Sequence, residues 1–104
     1  MKEKERDEIL HLAIETFGER SQCDMMIEEA SELIKAICKH YRGGAIADVV
    51  EEIADVQICL DQMKIIFGDS GAIEHVKLNR LLSRIDEHEG FVKNDKVKLT
   101  ERYE

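Results

Sequence analysis

A length of 104 residues is one domain, with no room for two. Fifteen Lys and Arg against 23 Asp and Glu give a formal net charge of −8, which argues against a protein that grips a nucleic-acid polymer through a basic face. No apolar run approaches the roughly 20 residues of a membrane span, and a hydrophobic content of 43% is too high for a disordered chain despite 37% charge.

The first eight residues, Met1 to Glu8, are a charge cluster without an apolar segment, so no signal peptide is expected. Cys23, Cys38 and Cys59 are odd in number and form no CxxC pair, which fits a reduced, cytoplasmic chain. Proline is absent altogether, which favours long uninterrupted helices. A chain this short buries only about 60–70% of its unfolded surface. Some apolar face should be left over for a partner subunit, so oligomerisation is expected before any motif is read.

Glycines punctuate four stretches of helical periodicity. The first runs over about 4–17, with Ile9, Leu10, Ala13, Ile14 and Phe17 as its apolar stripe. The second runs over about 22–40, with Ser21 as the expected N-cap. Its apolar positions are Met26, Ile27, Ala30, Leu33, Ile34, Ile37, Cys38 and Tyr41. The third runs over about 45–67, with Val49, Ile53, Val56, Leu60, Met63 and Phe67 expected inward. The fourth covers about 71–88 behind a Ser70 cap, with Ile73, Val76, Leu81, Leu82 and Ile85 inward. A charged tail, 91–104, reads as an arm or short extension, and its one strand-like stretch is Lys96 to Thr100. There are no solenoid repeats and no low-complexity tracts.

The second and third helices carry related acidic words. One is Glu28-Glu29-Ala30-Ser31-Glu32, the other Glu51-Glu52-Ile53-Ala54-Asp55. At about 100° per residue, Glu29 and Glu32 lie one turn apart on one side of their helix, and Glu52 and Asp55 do the same. Like charges at that spacing repel unless something neutralises them. Both pairs border an apolar stripe, where an unpaired charge is costly. Two antiparallel helices would aim all four carboxylates into one space, and that density of hard oxygen suits Mg²⁺ or Mn²⁺. Asp48, one turn before Glu52, is a further ligand or base candidate. The bland alternative, a solvated acidic face, is the commoner fate of a single ExxE; the duplication on two helices is what weakens it. A ferritin-like di-iron site needs two ExxH words, and only Glu8 to His11 qualifies.

With these words in place, the chain resembles the MazG-type all-α nucleoside triphosphate pyrophosphohydrolases, in their short single-domain form. The resemblance is carried by IEEASELIKAICKHYRG, residues 27–43, and VVEEIADVQICLDQM, residues 49–63. It extends loosely to the fourth helix. It implies a four-helix MazG-like bundle over 1–104, completed as a homodimer or as a tetramer built from two dimers. It implies Mg²⁺, with Mn²⁺ as substitute, held by Glu29, Glu32, Glu52 and Asp55. Glu28, beside the first ligand, would join Glu29 in holding or activating water. The implied reaction cleaves an NTP or dNTP between its α and β phosphorus atoms, releasing a monophosphate and pyrophosphate, as in clearing unwanted nucleotides from the pool.

Such a site also needs cations for the phosphates. Lys77, Arg80 and Arg84, at i, i+3 and i+7, form a basic line on the fourth helix that matches basic positions in that family. Arg42 in the Tyr-Arg-Gly-Gly turn is a further candidate, with Lys35 and Lys39 behind it. For the base, Ile14, Phe17, Met25 and Tyr41 are candidates to stack, though core packing is the commoner role for such residues. The resemblance makes the first helix and the Gly18 to Gln22 turn the specificity elements. In the tail, Lys93, Asn94 and Asp95 resemble a Lys and Asn used by some related dimeric nucleotide hydrolases. Two rival readings remain at this point: a catalytically silent nucleotide-binding or regulatory protein on the same fold, and a helical metal carrier or di-metal redox protein.

Overall fold

A computed structural model of the protein describes residues 1–89. Among them are four α-helices and no strand: α1 (Glu3–Phe17), α2 (Glu19–His40), α3 (Ile46–Phe67) and α4 (Gly71–Glu89). The all-α, four-helix class is thus as expected. None of these helices is long and apolar enough to cross a membrane. The expectations for the tail, 91–104, with Lys96 to Thr100 and Lys93 to Asp95, lie outside the described residues.

The chain divides into two units, Met1–Asp69 and one beginning at Ser70, of which α4 is the described part. In the first unit α1 and α2 are separated by a single residue. Gly18, at φ 92°, ends α1 by donating its N–H to the Ile14 carbonyl at 2.8 Å. It starts α2 by accepting from the Gln22 N–H at 3.2 Å. A left-handed φ of this kind is open to glycine without a Cβ penalty, so one residue suffices to break the helix. The expected Gly18 to Gln22 turn is therefore not a turn. Glu19 to Gln22 are already helical, and Ser21 lies inside α2 rather than capping it.

The α2–α3 connection is a short turn over 41–45. The Arg42 and Gly44 N–H groups both donate to the Lys39 carbonyl at 2.9 Å, and the His40 ring donates to the Gly44 carbonyl at 3.1 Å. A Cβ on Gly44 would stand 2.9 Å from the Lys39 carbonyl oxygen, so the close return of the chain requires glycine there. This hairpin lays α2 antiparallel on α3, the main packing in the unit. It is pinned far from the turn by a buried hydrogen bond, Gln62 Nε2 to Gln22 Oε1, at 2.8 Å. Helix α1 is tied to α3 by the Arg6–Asp61 ion pair at 2.6 Å, with Leu10 buried near it.

The core is small. Leu10 and Cys59 are the buried apolar side chains, with Met26, Ala30, Leu33, Val49, Val56 and Met63 half-buried among the described residues. Many residues expected inward are exposed instead. On α2 these are Ile27, Ile34, Ile37, Cys38 and Tyr41; on α3, Ile53, Leu60 and Phe67; on α1, Ile9 and Phe17. The reason is geometric. A helix in a hairpin covers one stripe of its partner, and the apolar positions of α2 and α3 extend well past one stripe.

The excess falls on two regular seams. On α2 it is Ile27, Ile34, Ile37 and Tyr41; on α3 it is Ile46, Val50, Ile53, Leu60 and Phe67. Both keep spacings of three, four or seven. On α4, Ile73, Val76, Leu81 and Ile85 are exposed and Leu82 is half-buried, so an amphipathic stripe is present but is not a core. The Ser70 carbonyl accepts from the Glu74 N–H at 2.8 Å, which places Ser70 at the start of α4 as expected.

Candidate metal centre

The Gln22–Gln62 bond fixes the register of α2 against α3. Seven residues along each helix toward the turn is two turns, which brings the same faces together again. Those positions are Glu29 on α2 and Asp55 on α3, with Glu52 one turn further on. Each of the three offers a carboxylate oxygen, and the three oxygens lie within 4.8 Å of one another. All three side chains are half-buried.

The charge in this cluster is not balanced by the described residues. No cation pairs with Glu29, Glu52 or Asp55 among the described residues. One oxygen of Glu52, Oε2, is buried with no hydrogen-bond partner. Glu29 responds by holding its proton more tightly than an ordinary carboxylate. Burial is the largest cause, followed by the charge of Asp55 and the neighbouring Glu52 carboxylate. Unpaired, like-charged and partly desolvated carboxylates are a costly arrangement. A divalent cation would relieve that cost, and carboxylate oxygens are the donors that hard cations accept.

Three of the four expected ligands are thus together. Glu32 is not within the trio; its carboxylate is about half exposed and accepts from Lys35 Nζ at 3.4 Å. It lines the adjacent cavity instead, next to Glu52. Glu28 is exposed, stands outside the trio, and lends its backbone carbonyl to Ser31 Oγ at 2.7 Å. Glu8 and His11 join no metal-binding group among the described residues; the His11 ring lies 2.9 Å from the Asp7 carbonyl.

Beside the cluster is a cavity of about 210 Å³ at the turn end of the hairpin. Its charged lining is Glu32, Lys35, Lys39, Asp48, Glu51 and Glu52, closed by Ala36, Gly44 and Ala45. Glu52 belongs to both the cavity and the cluster, so the two adjoin. Lys35 and Lys39 therefore gain weight over Arg42, which is exposed in the turn and does not line the cavity. Lys77, Arg80 and Arg84 are exposed on α4, in the second unit. Of the stacking candidates, Phe17 and Tyr41 are exposed rings rather than core, Met25 is exposed and Ile14 is half-buried.

Two features escaped the motif reading. Cys59, one turn beyond Asp55, is buried, and its thiol is pushed up first by burial and then by the charges of Glu29 and Asp55. The Gln22–Gln62 pair was the other. Its signal was available: each glutamine stands seven residues from a cluster carboxylate, on the same helix face.

No family model, no curated protein and no solved structure matches this chain.

Proposed function

We propose that the protein is a Mg²⁺-dependent nucleoside triphosphate pyrophosphohydrolase, a MazG-like helical bundle that works as a homo-oligomer in the cytoplasm. The observation that carries this reading is the triad Glu29, Glu52 and Asp55, with its orphaned Glu52 oxygen, opening onto a cavity that holds two lysines.

In this reading Glu29, Glu52 and Asp55 would hold the metal, and Glu32, paired with Lys35 on the cavity wall, would be the nearest further carboxylate. When bound, Mg²⁺ screens the triphosphate and lowers the pKa of a coordinated water. Lys35 and Lys39, which line the cavity, would meet the phosphate chain, with Arg42 and the Lys77, Arg80 and Arg84 line as further candidates. A water oxygen bonds to the α-phosphorus, and the bond from that phosphorus to the α–β bridging oxygen breaks. The monophosphate and pyrophosphate leave. The water's proton goes to a carboxylate near the cluster; Glu28 and Glu29 are the candidates, and Glu29 holds a proton more tightly than an ordinary carboxylate.

The deciding experiment is pyrophosphate release from a panel of NTPs and dNTPs with Mg²⁺, each beside an EDTA control. Metal-dependent release of monophosphate with pyrophosphate is expected. Folded protein that binds nucleotide but releases nothing from any member would replace this reading with the silent nucleotide-binding one.

A further inference from the structure

The cavity at the turn end of the hairpin suits charge better than a ring. Its volume, about 210 Å³, falls below the roughly 300–1,000 Å³ that encloses a drug-sized ligand, and such pockets are lined mostly by apolar and aromatic side chains. Among the described residues, this lining holds no aromatic ring, no amide and no hydroxyl. The candidates to stack on a base, Ile14, Phe17, Met25 and Tyr41, do not line it. Its larger side chains are all ionic: Glu32, Asp48, Glu51 and Glu52 with Lys35 and Lys39. We propose that this cavity takes a phosphate chain by itself, as its Mg²⁺ complex, so that inorganic triphosphate is a ligand and a substrate without any nucleoside.

Three observations carry this. The first is the mixture of charge. Four carboxylates against two lysines leave the lining net negative, so a bare anion is repelled, while a bare cation meets the lysines. A phosphate chain bound to divalent cations presents both signs, and this lining has a partner for each. The second is an unmatched cation. Lys35 reaches Glu32 at 3.4 Å, but Lys39, one turn further on, joins no ion pair among the described residues, although carboxylates line the same cavity. The Cβ atoms of the two lysines are about 5–6 Å apart at this spacing, close enough for one phosphate chain to meet both. The third is position. Glu52 belongs to the cavity and to the triad, and its Oε2 is buried without a partner. A chain lodged in the cavity would therefore have one end beside the triad. For a nucleotide that end is the α-phosphorus, with the nucleoside left outside. For inorganic triphosphate it is a terminal phosphorus. A water oxygen bonds to that phosphorus, its bond to the bridging oxygen breaks, and the electron pair leaves with pyrophosphate. Orthophosphate and pyrophosphate are the products, and the water's proton goes to a carboxylate near the cluster.

The cleavage rests on the reaction proposed above and the binding does not, so the two are read separately on the full chain. An amine-acetylating reagent is applied in excess Mg²⁺, with and without inorganic triphosphate, and each lysine is followed by mass spectrometry. Lys35 and Lys39 should be protected several-fold, and Lys2 and Lys4 should not. In calorimetry, Lys39→Ala should weaken triphosphate binding by about tenfold or more, and Lys39→Arg should restore most of it. Phosphorus NMR should show triphosphate turning into orthophosphate and pyrophosphate with Mg²⁺ and not in EDTA. Protection at Lys77 in place of Lys35 and Lys39 would overturn the inference. Cleavage of NTPs with neither binding nor cleavage of inorganic triphosphate would overturn it alone, since the site would then require the nucleoside. Protection of Lys35 and Lys39 with no cleavage of triphosphate or of any NTP would sink the enzymatic reading, and the substrate half of this inference with it, while upholding the ligand.

Discussion

The α2–α3 interface holds two polar constellations two turns apart, and they are solved in opposite ways. Gln22 and Gln62 are neutral and buried, at 8% and 3% exposure, and bond to each other at 2.8 Å. Their cost of burial is met within the protein. Glu29, Glu52 and Asp55 are like-charged and half-buried, and among the described residues they pair with no cation and leave an oxygen of Glu52 without a partner. Their cost is not met by the described residues. A satisfied pair fixes register; an unsatisfied triad at the same interface is where the proposed cation would bind. The comparison also ranks the two by consequence. Changing the triad should alter chemistry and spare the fold, and changing the pair should do the reverse.

The largest expected effect is on the triad side. Asp55→Asn should lower pyrophosphate release by about 100-fold or more, because one hard ligand is lost from a site of three. The helical signal should be unchanged, and metal-free thermal stability should not fall, since a repelling charge has gone. Titration with Mn²⁺, followed by calorimetry, separates lost metal binding from lost chemistry. Unchanged release would remove Asp55 from the ligand set.

On the pair side, Gln62→Ala should cost about 1–3 kcal/mol, because Gln22 is left buried with no partner and a space opens beside it. Gln22→Leu with Gln62→Leu should recover most of that loss, as both polar groups are then gone. Urea unfolding of the two variants and the parent gives the comparison. Turnover per folded molecule should stay near that of the parent in both, which a role for the glutamines in substrate binding would not permit.

Much of this architecture is legible in the sequence. Gly18, Gly43-Gly44 and Gly68 mark the helix ends because a left-handed φ or a close chain return occurs at each. The triad is legible because two ExxE/D words on neighbouring helices must face one another once the turn is short. What periodicity could not give is which of several apolar stripes faces the partner helix. Ile34 and Leu33 are adjacent in sequence and alike in hydropathy, yet Leu33 is half-buried in the hairpin and Ile34 lies on the bare seam. Nor could it give the Ser21 position. A good capping residue is a signal only if the helix has not already begun, and Gly18 starts α2 three residues earlier. Glu32 shows the same limit at the site. Its spacing from Glu29 matches that of Glu52 from Asp55 in magnitude, but it lies toward the cavity, where Lys35 takes its carboxylate.

The smallest effect is the most direct reading of the triad's unmet cost. Glu29 has a raised pKa, so folding strengthens its hold on a proton relative to the unfolded chain. Its contribution to stability is therefore complete below the ordinary carboxylate value near 4.5 and is lost as pH rises through the higher folded value. In EDTA at neutral pH, Glu29→Gln should melt a few degrees above the parent, and the gap should close as pH falls toward 4.5. Millimolar Mg²⁺ should raise the parent's melting temperature and leave that of the variant nearly unmoved. A gap that persists unchanged at acid pH would mean that the amide merely packs better, and the triad would lose its claim to be held apart by charge. A gap that closes with acid and is also closed by metal identifies one electrostatic cost relieved in two ways, by a proton or by a cation. The site would then be one in which protons and Mg²⁺ compete for the same oxygens, and activity should decline on the acid side over the range in which Glu29 takes up its proton.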